Sequence, residues 1–329
     1  MPEADRFRTP VPLPQTAQRF SYATPFLCMG SCFAEHIGDR LASRRFDCLT
    51  NPFGILYNPS SLARAIQRIH EGAGSQPEDL VHRDGLWHSW DHHGRFSHPE
   101  REEAVRRINR TLQTAHAQLK RAPWLLLSFG TAWVYRLKDT GRIVANNHKF
   151  PASAFEKDRL SVSQTVDALS EAVRLLPSGS RIWITVSPVR HLRDGLVDNQ
   201  HSKATLLLAA HELCRQFDRV QYFPAYELVL DELRDYRFFE ADMVHPNALA
   251  VDYVWEQFIR VCLAPEARSL MQALEHILKA ARHRPLHPDT EAHRQFCQTQ
   301  LQQVKELQKS HPFLKIDDLR ETFENQIET

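Results

Sequence analysis

Two short runs of this 329-residue chain bring together residue types that can move an acyl group. In the first, Gly30-Ser31-Cys32-Phe33-Ala34 follows the apolar run Phe26-Leu27-Cys28-Met29, and Phe33, Ile37 and Leu41 then recur at four-residue spacing. That pattern predicts a strand, a turn and a helix, with Ser31 in the turn. Free N–H groups and the positive dipole end of a helix start favour an anion, such as the oxyanion formed when a hydroxyl attacks a carbonyl. The same serine is equally suited to capping the helix. In the second run, Asp242-Met243-Val244-His245-Pro246-Asn247 leads into another helix. The three-residue step lets the carboxylate fold back onto Nδ1–H of its own histidine, fixing the tautomer and leaving Nε2 free to take a proton. Alone, this run is a capped helix start with a surface imidazole. Paired with a serine at a second strand-to-helix turn, it reads as a base beside a nucleophile.

Five short apolar runs separated by amphipathic stretches must position these groups. They are 26–29, 45–49, 124–129, 182–186 and 220–223, with helical patterns near 33–41, 62–69, 100–120, 162–176 and 202–217 and after His245-Pro246. The alternation predicts a three-layer α/β/α domain around a mostly parallel five-stranded sheet, whose functional residues gather beyond the carboxyl ends of the strands. A hairpin is expected over 134–145, and residues 72–100, rich in His, Trp and Gly, read as an irregular insertion. Composition shifts near residue 264, giving an N-terminal arm over 1–20, the α/β domain over 21–263 and a helical extension over 264–329. The apolar residues of the extension pack back onto the domain or pair with a second copy as a homodimer.

Lys and Arg number 41 against 40 Asp and Glu, a formal charge of +1, which excludes a broadly basic nucleic-acid surface. No apolar run reaches the ~18 residues of a membrane span. The first residues, Met1-Pro2-Glu3-Ala4-Asp5, lack an apolar signal core, so reduced thiols and a cytoplasmic location are expected.

Further blocks carry a family resemblance: Asn51-Pro52-Phe53-Gly54-Ile55-Leu56-Tyr57-Asn58-Pro59, Phe129-Gly130-Thr131-Ala132-Trp133-Val134-Tyr135, Ser187-Pro188-Val189-Arg190-His191, Tyr222-Phe223-Pro224-Ala225-Tyr226-Glu227, and Asp235-Tyr236-Arg237-Phe238-Phe239 through His245. From about Phe20 to Leu263 the chain resembles the GSCFA family, which in turn resembles the SGNH/GDSL hydrolase superfamily. The resemblance implies Ser31 as nucleophile, His245 as base and Asp242 as its orienting acid. The oxyanion hole would take the backbone N–H groups of Ser31 and Gly54. The superfamily's Gly-x-Asn after the third strand is here Gly130-Thr131-Ala132, so alanine stands at the asparagine place and Thr131, Asn146 or Asn147 would have to substitute. In a turn of the superfamily's kind, Cys32 points away from Ser31 into the packing layer. Alone, a thiol at a helix N-terminus could itself attack.

The implied activity is a metal-independent serine esterase or acyltransferase, needing no cofactor and taking a small-molecule or glycan ester, with an O-acylated carbohydrate as the substrate class. A non-catalytic binding or scaffold protein is the alternative, motivated by the missing asparagine. A metal-dependent hydrolase would instead use the histidines between His82 and His98. For substrate contacts the sequence offers Trp90 and His92 in the insertion, Asn147 and His148 after the hairpin, Arg190 and His191 after the fourth strand, and Asn199 and Lys203 at a helix start.

Overall fold

The computed structural model describes residues 8–16, 19–121 and 123–328. Its central sheet contains β1 (Phe26–Gly30), β2 (Cys48–Thr50), β3 (Trp124–Phe129), β4 (Arg181–Val186) and β5 (Val220–Tyr222). All neighbours are parallel, in the order β5-β4-β3-β1-β2. Strand order therefore reverses between β1 and β3. The crevice beyond their carboxyl ends is where an open α/β sheet binds its ligand.

Alternate residues of the strands serve two layers. Phe26, Cys28, Trp124, Leu126 and Trp183 pack with α1 (Cys32–Ser43), α6 (Ala248–Cys262) and α7 (Pro265–Arg282). Leu27, Met29, Leu125, Leu127, Ile182 and Ile184 meet α2 (Pro59–Glu71), α3 (Arg101–Lys120), α4 (Val162–Leu175) and α5 (Leu196–Gln216) on the other face. Such near-continuous apolar strands mark a sheet covered on both sides.

The helical extension continues through α8 (Glu291–Ser310) and α9 (Asp317–Glu328). Cys297, Val304, Ile316, Leu319 and Phe323 share the core of α1 and α6, so the extension does pack back onto the domain. Phe20, expected in the N-terminal arm, belongs to this core as well. It is fully buried, and its backbone bonds to Cys262 and Ala264. Residues 1–7, 17 and 18 of that arm lie outside the described residues.

The insertion at 72–100 is more regular than its composition suggested. Leu80–Arg83 and Leu86–Ser89 form an antiparallel hairpin turning at Asp84-Gly85, both at positive φ, as a tight two-residue hairpin turn requires. Leu80 and Phe96 seat it on Ala104 and Ile108 of α3. The expected hairpin at 134–145 is present as Trp133–Leu137 and Ile143–Val144, joined by an unforeseen third strand, Phe155–Arg159. No helix among the described residues is long and apolar enough to cross a membrane.

One glycine fixes the crossing point. Gly30 has φ +129°, and a Cβ there would stand 2.1 Å from the Ser128 carbonyl oxygen. Gly30→Ala is expected to lower the unfolding free energy by about 2–4 kcal/mol, from backbone strain and overpacking together. Urea denaturation measures this; an unchanged midpoint would mean that β1 and β3 part easily.

Candidate active site

At the carboxyl end of β1 the chain turns directly into α1. Ser31 is the N-cap: its Oγ accepts from Phe33 N–H at 3.2 Å and shares a 2.6 Å hydrogen bond with Ser128 Oγ. Ser31 is 1% exposed, and its side chain faces β3. The cavity at the switch point, about 630 Å³, is lined by Cys32 and not by Ser31. The facing that the resemblance implied for Cys32, into the packing layer, is corrected by its place on the cavity wall. The serine caps the helix, while the half-buried residue after it, Cys32, lines the cavity.

The same cavity is lined by Asp242 and His245. Asp242 Oδ1 accepts from the N–H groups of Val244 and His245 at 2.9 and 3.0 Å, and Oδ2 accepts from His245 Nδ1 at 2.6 Å. These bonds hold the Asp242 carboxyl down at about 2, the His245 backbone N–H being the largest cause. The carboxylate is thus ionised through the neutral range and fixes the imidazole with Nε2 available. Asp242 and His245 both line the cavity with Cys32. No hydrogen bond joins His245 to either Cys32 or Ser31, and contacts between nucleophile and base are commonly loose until the reacting group is in place.

Burial and neighbouring groups act on the thiol in opposite directions. Burial raises the Cys32 pKa, while its own backbone N–H, a hydrogen bond from Tyr57 and the charge of Lys203 lower it. Lys203 is fully buried, with no carboxylate partner among the described residues. Its Nζ donates to the carbonyl oxygens of Gly130 (2.6 Å) and Ser187 (2.7 Å), tying together the chain just beyond β3 and β4. Burial brings this ammonium down to about 7, with Cys32 opposing the fall.

The expected oxyanion donors are otherwise occupied. Ser31 N–H donates to Ser128 O, Gly54 N–H to Asn51 O and Thr131 N–H to Tyr57 O, at 3.0, 2.7 and 3.0 Å. Thr131 Oγ1 pairs with Ser202 and accepts from Trp133 N–H. Gly54 instead serves the turn, since a Cβ there would stand 2.2 Å from that of His93. Ala132, at the asparagine place, is buried with its N–H on Ser202 Oγ. On the cavity wall, the Ile55 backbone N–H has no carbonyl or side-chain partner among the described residues, and the Cys32 backbone N–H serves its own sulfur. Tyr57 O–H is a third donor beside the sulfur.

The substrate candidates divide. Asn147, Arg190 and His191 line the cavity. His191 is held neutral, down at about 4, chiefly by burial and then by the Lys203 charge. Trp90 does not reach the cavity: it is buried against Phe150 and Phe155. His92 is 1% exposed, stacked on Phe53 and bonded to Ser89. His148 belongs to the same packing, its Nε2 lying 2.8 Å from the Ser89 carbonyl oxygen. That oxygen can only accept, so Nε2 carries the proton. Asn199 is buried and holds the His191 backbone N–H, and Lys203 lies behind the wall. From the insertion only His93 faces the cavity, and no group of three or more His, Cys, Asp or Glu among the described residues is placed to hold a metal ion. Trp133, Tyr135, Lys157 and Arg193 also line the cavity. Nothing in the sequence singled these out, because they lie on strands and turns whose facing only the fold decides.

A family model described as the GSCFA family matches residues 25–258, and one described as the GSCFA domain protein, C-terminal domain, matches residues 274–329. No curated protein and no solved structure matches the chain.

Proposed function

The chain belongs to the GSCFA family, and from the geometry of its cavity we propose an acyl-transfer enzyme, a hydrolase or transferase of esters or thioesters, working through Cys32, His245 and Asp242. One observation carries this reading: the thiol and a carboxylate-held imidazole line the same cavity at the strand-order reversal, and the Ser31 hydroxyl does not. The resemblance to the SGNH/GDSL layout supports it, with the nucleophile's place at the start of α1 passing to Cys32. A helix N-terminus favours a thiolate, and all six cysteines are unpaired.

In the reaction, His245 Nε2 takes the thiol proton and the sulfur attacks the acyl carbon. The resulting oxyanion lies toward the free N–H of Ile55, the Tyr57 hydroxyl and the Cys32 N–H, which the sulfur gives up as its charge passes to the acyl group. Collapse expels the alcohol or thiol leaving group, which takes the proton from His245, and a thioester to Cys32 remains. Water or an acceptor hydroxyl, deprotonated by His245, then attacks that thioester and releases the thiol. Asp242 keeps the imidazole oriented in both halves. An O-acylated carbohydrate remains a substrate class for this site, with Trp133 and Tyr135 replacing the inward-packed Trp90 as stacking surfaces.

Stopped-flow hydrolysis of an activated aryl acetate tests the reading. The expected record is a burst of about one phenol per active site, followed by slower turnover, as acyl-enzyme accumulation produces. Hydrolysis at the same rate by Cys32→Ala would overturn it. The absent bond between His245 and Cys32 also suits a non-catalytic binding module, for which ligand affinity would survive in Cys32→Ala and no burst would occur.

A further inference from the structure

The charges of the cavity do not balance, and the surplus lies on groups that the acyl-transfer chemistry leaves unused. Lys157 is satisfied by Asp194 at 2.5 Å, and Asp242 is committed to His245 and its own turn. Arg190 and Arg193 line the same cavity, and neither forms an ion pair with a carboxylate of the described residues. Arg190 also borders a smaller cavity with Asp231 and Asp235, yet Asp235 is engaged with Arg237 and Asp231 is not bonded to Arg190. The neighbouring wall offers a donor as well: Asn147 spends its carbonyl oxygen on Lys149 N–H, leaving its amide hydrogens to the cavity.

An unpaired guanidinium is a planar fork suited to two oxygens of one anion. Two of them beside the spare Asn147 amide make a wall suited to an oxyanion, since the carboxylates there, Asp194 and Asp242, are already engaged. Resting on the acyl-transfer reading above, we propose that the substrate of this site carries an anionic group, a carboxylate or a phosphate, on the part of the molecule remote from the acyl carbonyl, and that Arg190 and Arg193 bind it. The arginines then set which ester is selected, while Cys32 and His245 do the chemistry. Binding energy from such a remote group raises kcat/KM without touching the reacting bond.

Three acetate esters of matched shape test this: para-carbamoylphenyl acetate, para-acetoxybenzoate and para-acetoxyphenyl phosphate. Wild-type kcat/KM is expected to be about 10–100-fold higher for at least one anionic ester than for the neutral one, the scale of a charge-assisted hydrogen bond. That ratio should fall with added salt and collapse towards one in the Arg190→Gln/Arg193→Gln double variant. The larger of the two anionic advantages tells carboxylate from phosphate. Equal rates for all three esters, or a ratio that survives in the double variant, would overturn the proposal and leave the acyl-transfer reading standing.

Failure of that reading would show separately, as no hydrolysis of any ester above the Cys32→Ala background. The inference is then decided by protection of Cys32 from iodoacetamide, which needs no turnover. Benzoate or phenyl phosphate should protect the wild type and not the double variant. No protection by either anion, or equal protection by benzamide, would overturn it.

Discussion

Cys32→Ala lowers kcat/KM for an activated ester by about 10³-fold or more, the scale on which loss of a triad nucleophile is felt. Ser31→Ala, one residue away, is expected to cost less than about tenfold in rate. Its penalty falls on folding, where removing a serine N-cap costs about 1 kcal/mol and leaves the buried Ser128 hydroxyl without its 2.6 Å partner. The contrast follows from where the two side chains go. Ser31 Oγ accepts from Phe33 N–H and shares a hydrogen bond with Ser128, and Ser31 does not line the cavity, whereas Cys32 lines the same space as His245. The reverse pattern, with the serine variant inactive and the alanine at 32 active, would return the nucleophile to Ser31.

Lys203→Met gives the second large effect, and it appears in stability as a function of pH. In the fold burial depresses the Lys203 ammonium to about 7, against about 10.4 for an unfolded lysine. Below pH ~7 both states are protonated, and the cost of the buried charge is present in full. As pH rises from about 7 to about 10.4 the unfolded chain holds a proton that the fold has released, so wild-type stability climbs by up to about 1.4 kcal/mol per pH unit. The methionine variant lacks that climb. Urea titrations of both proteins across this range should therefore diverge, with the wild type gaining on the variant as pH increases. Parallel curves would mean that the ammonium is hydrated. Because the Lys203 charge also lowers the Cys32 thiol, alkylation of Cys32 near neutral pH should be slower in the variant.

Much of the framework was legible in residue order. The apolar runs and their helical partners announced a parallel sheet, because strands buried on both faces have no polar alternation to hide them. Asp242 and His245 were readable because their interaction is local: three residues of chain suffice to bring carboxylate to imidazole. The choice between Ser31 and Cys32 was not. It turns on which residue is the cap and which is the first of the helix, a shift of one position that reverses the direction of each side chain. The preference of serine for N-caps pointed to Ser31 as the cap, but residue order does not say which side chain faces the cavity.

Trp90 and His92 misled for a different reason. Aromatic and imidazole residues in an insertion suit a binding surface and a small core equally, and here they fill the core, on Phe155 and Phe53. The strand Phe155–Arg159 left no trace because its five residues, largely charged and exposed, carry neither an apolar run nor a turn signal. Lys203 read as a helix-start residue, and only the meeting of three segments shows that it binds the Gly130 and Ser187 carbonyls.

The nucleophile's identity is decided most directly by trapping. Wild-type protein mixed with an activated aryl acetate, quenched in acid during the burst and digested, should carry one acetyl group on the peptide spanning residues 26–40. Hydroxylamine at neutral pH should remove it, as it does a thioester, and fragment ions should place it on Cys32. An acetyl group found on Ser31 and stable to hydroxylamine, or no adduct at all despite turnover, would contradict a cysteine-centred site.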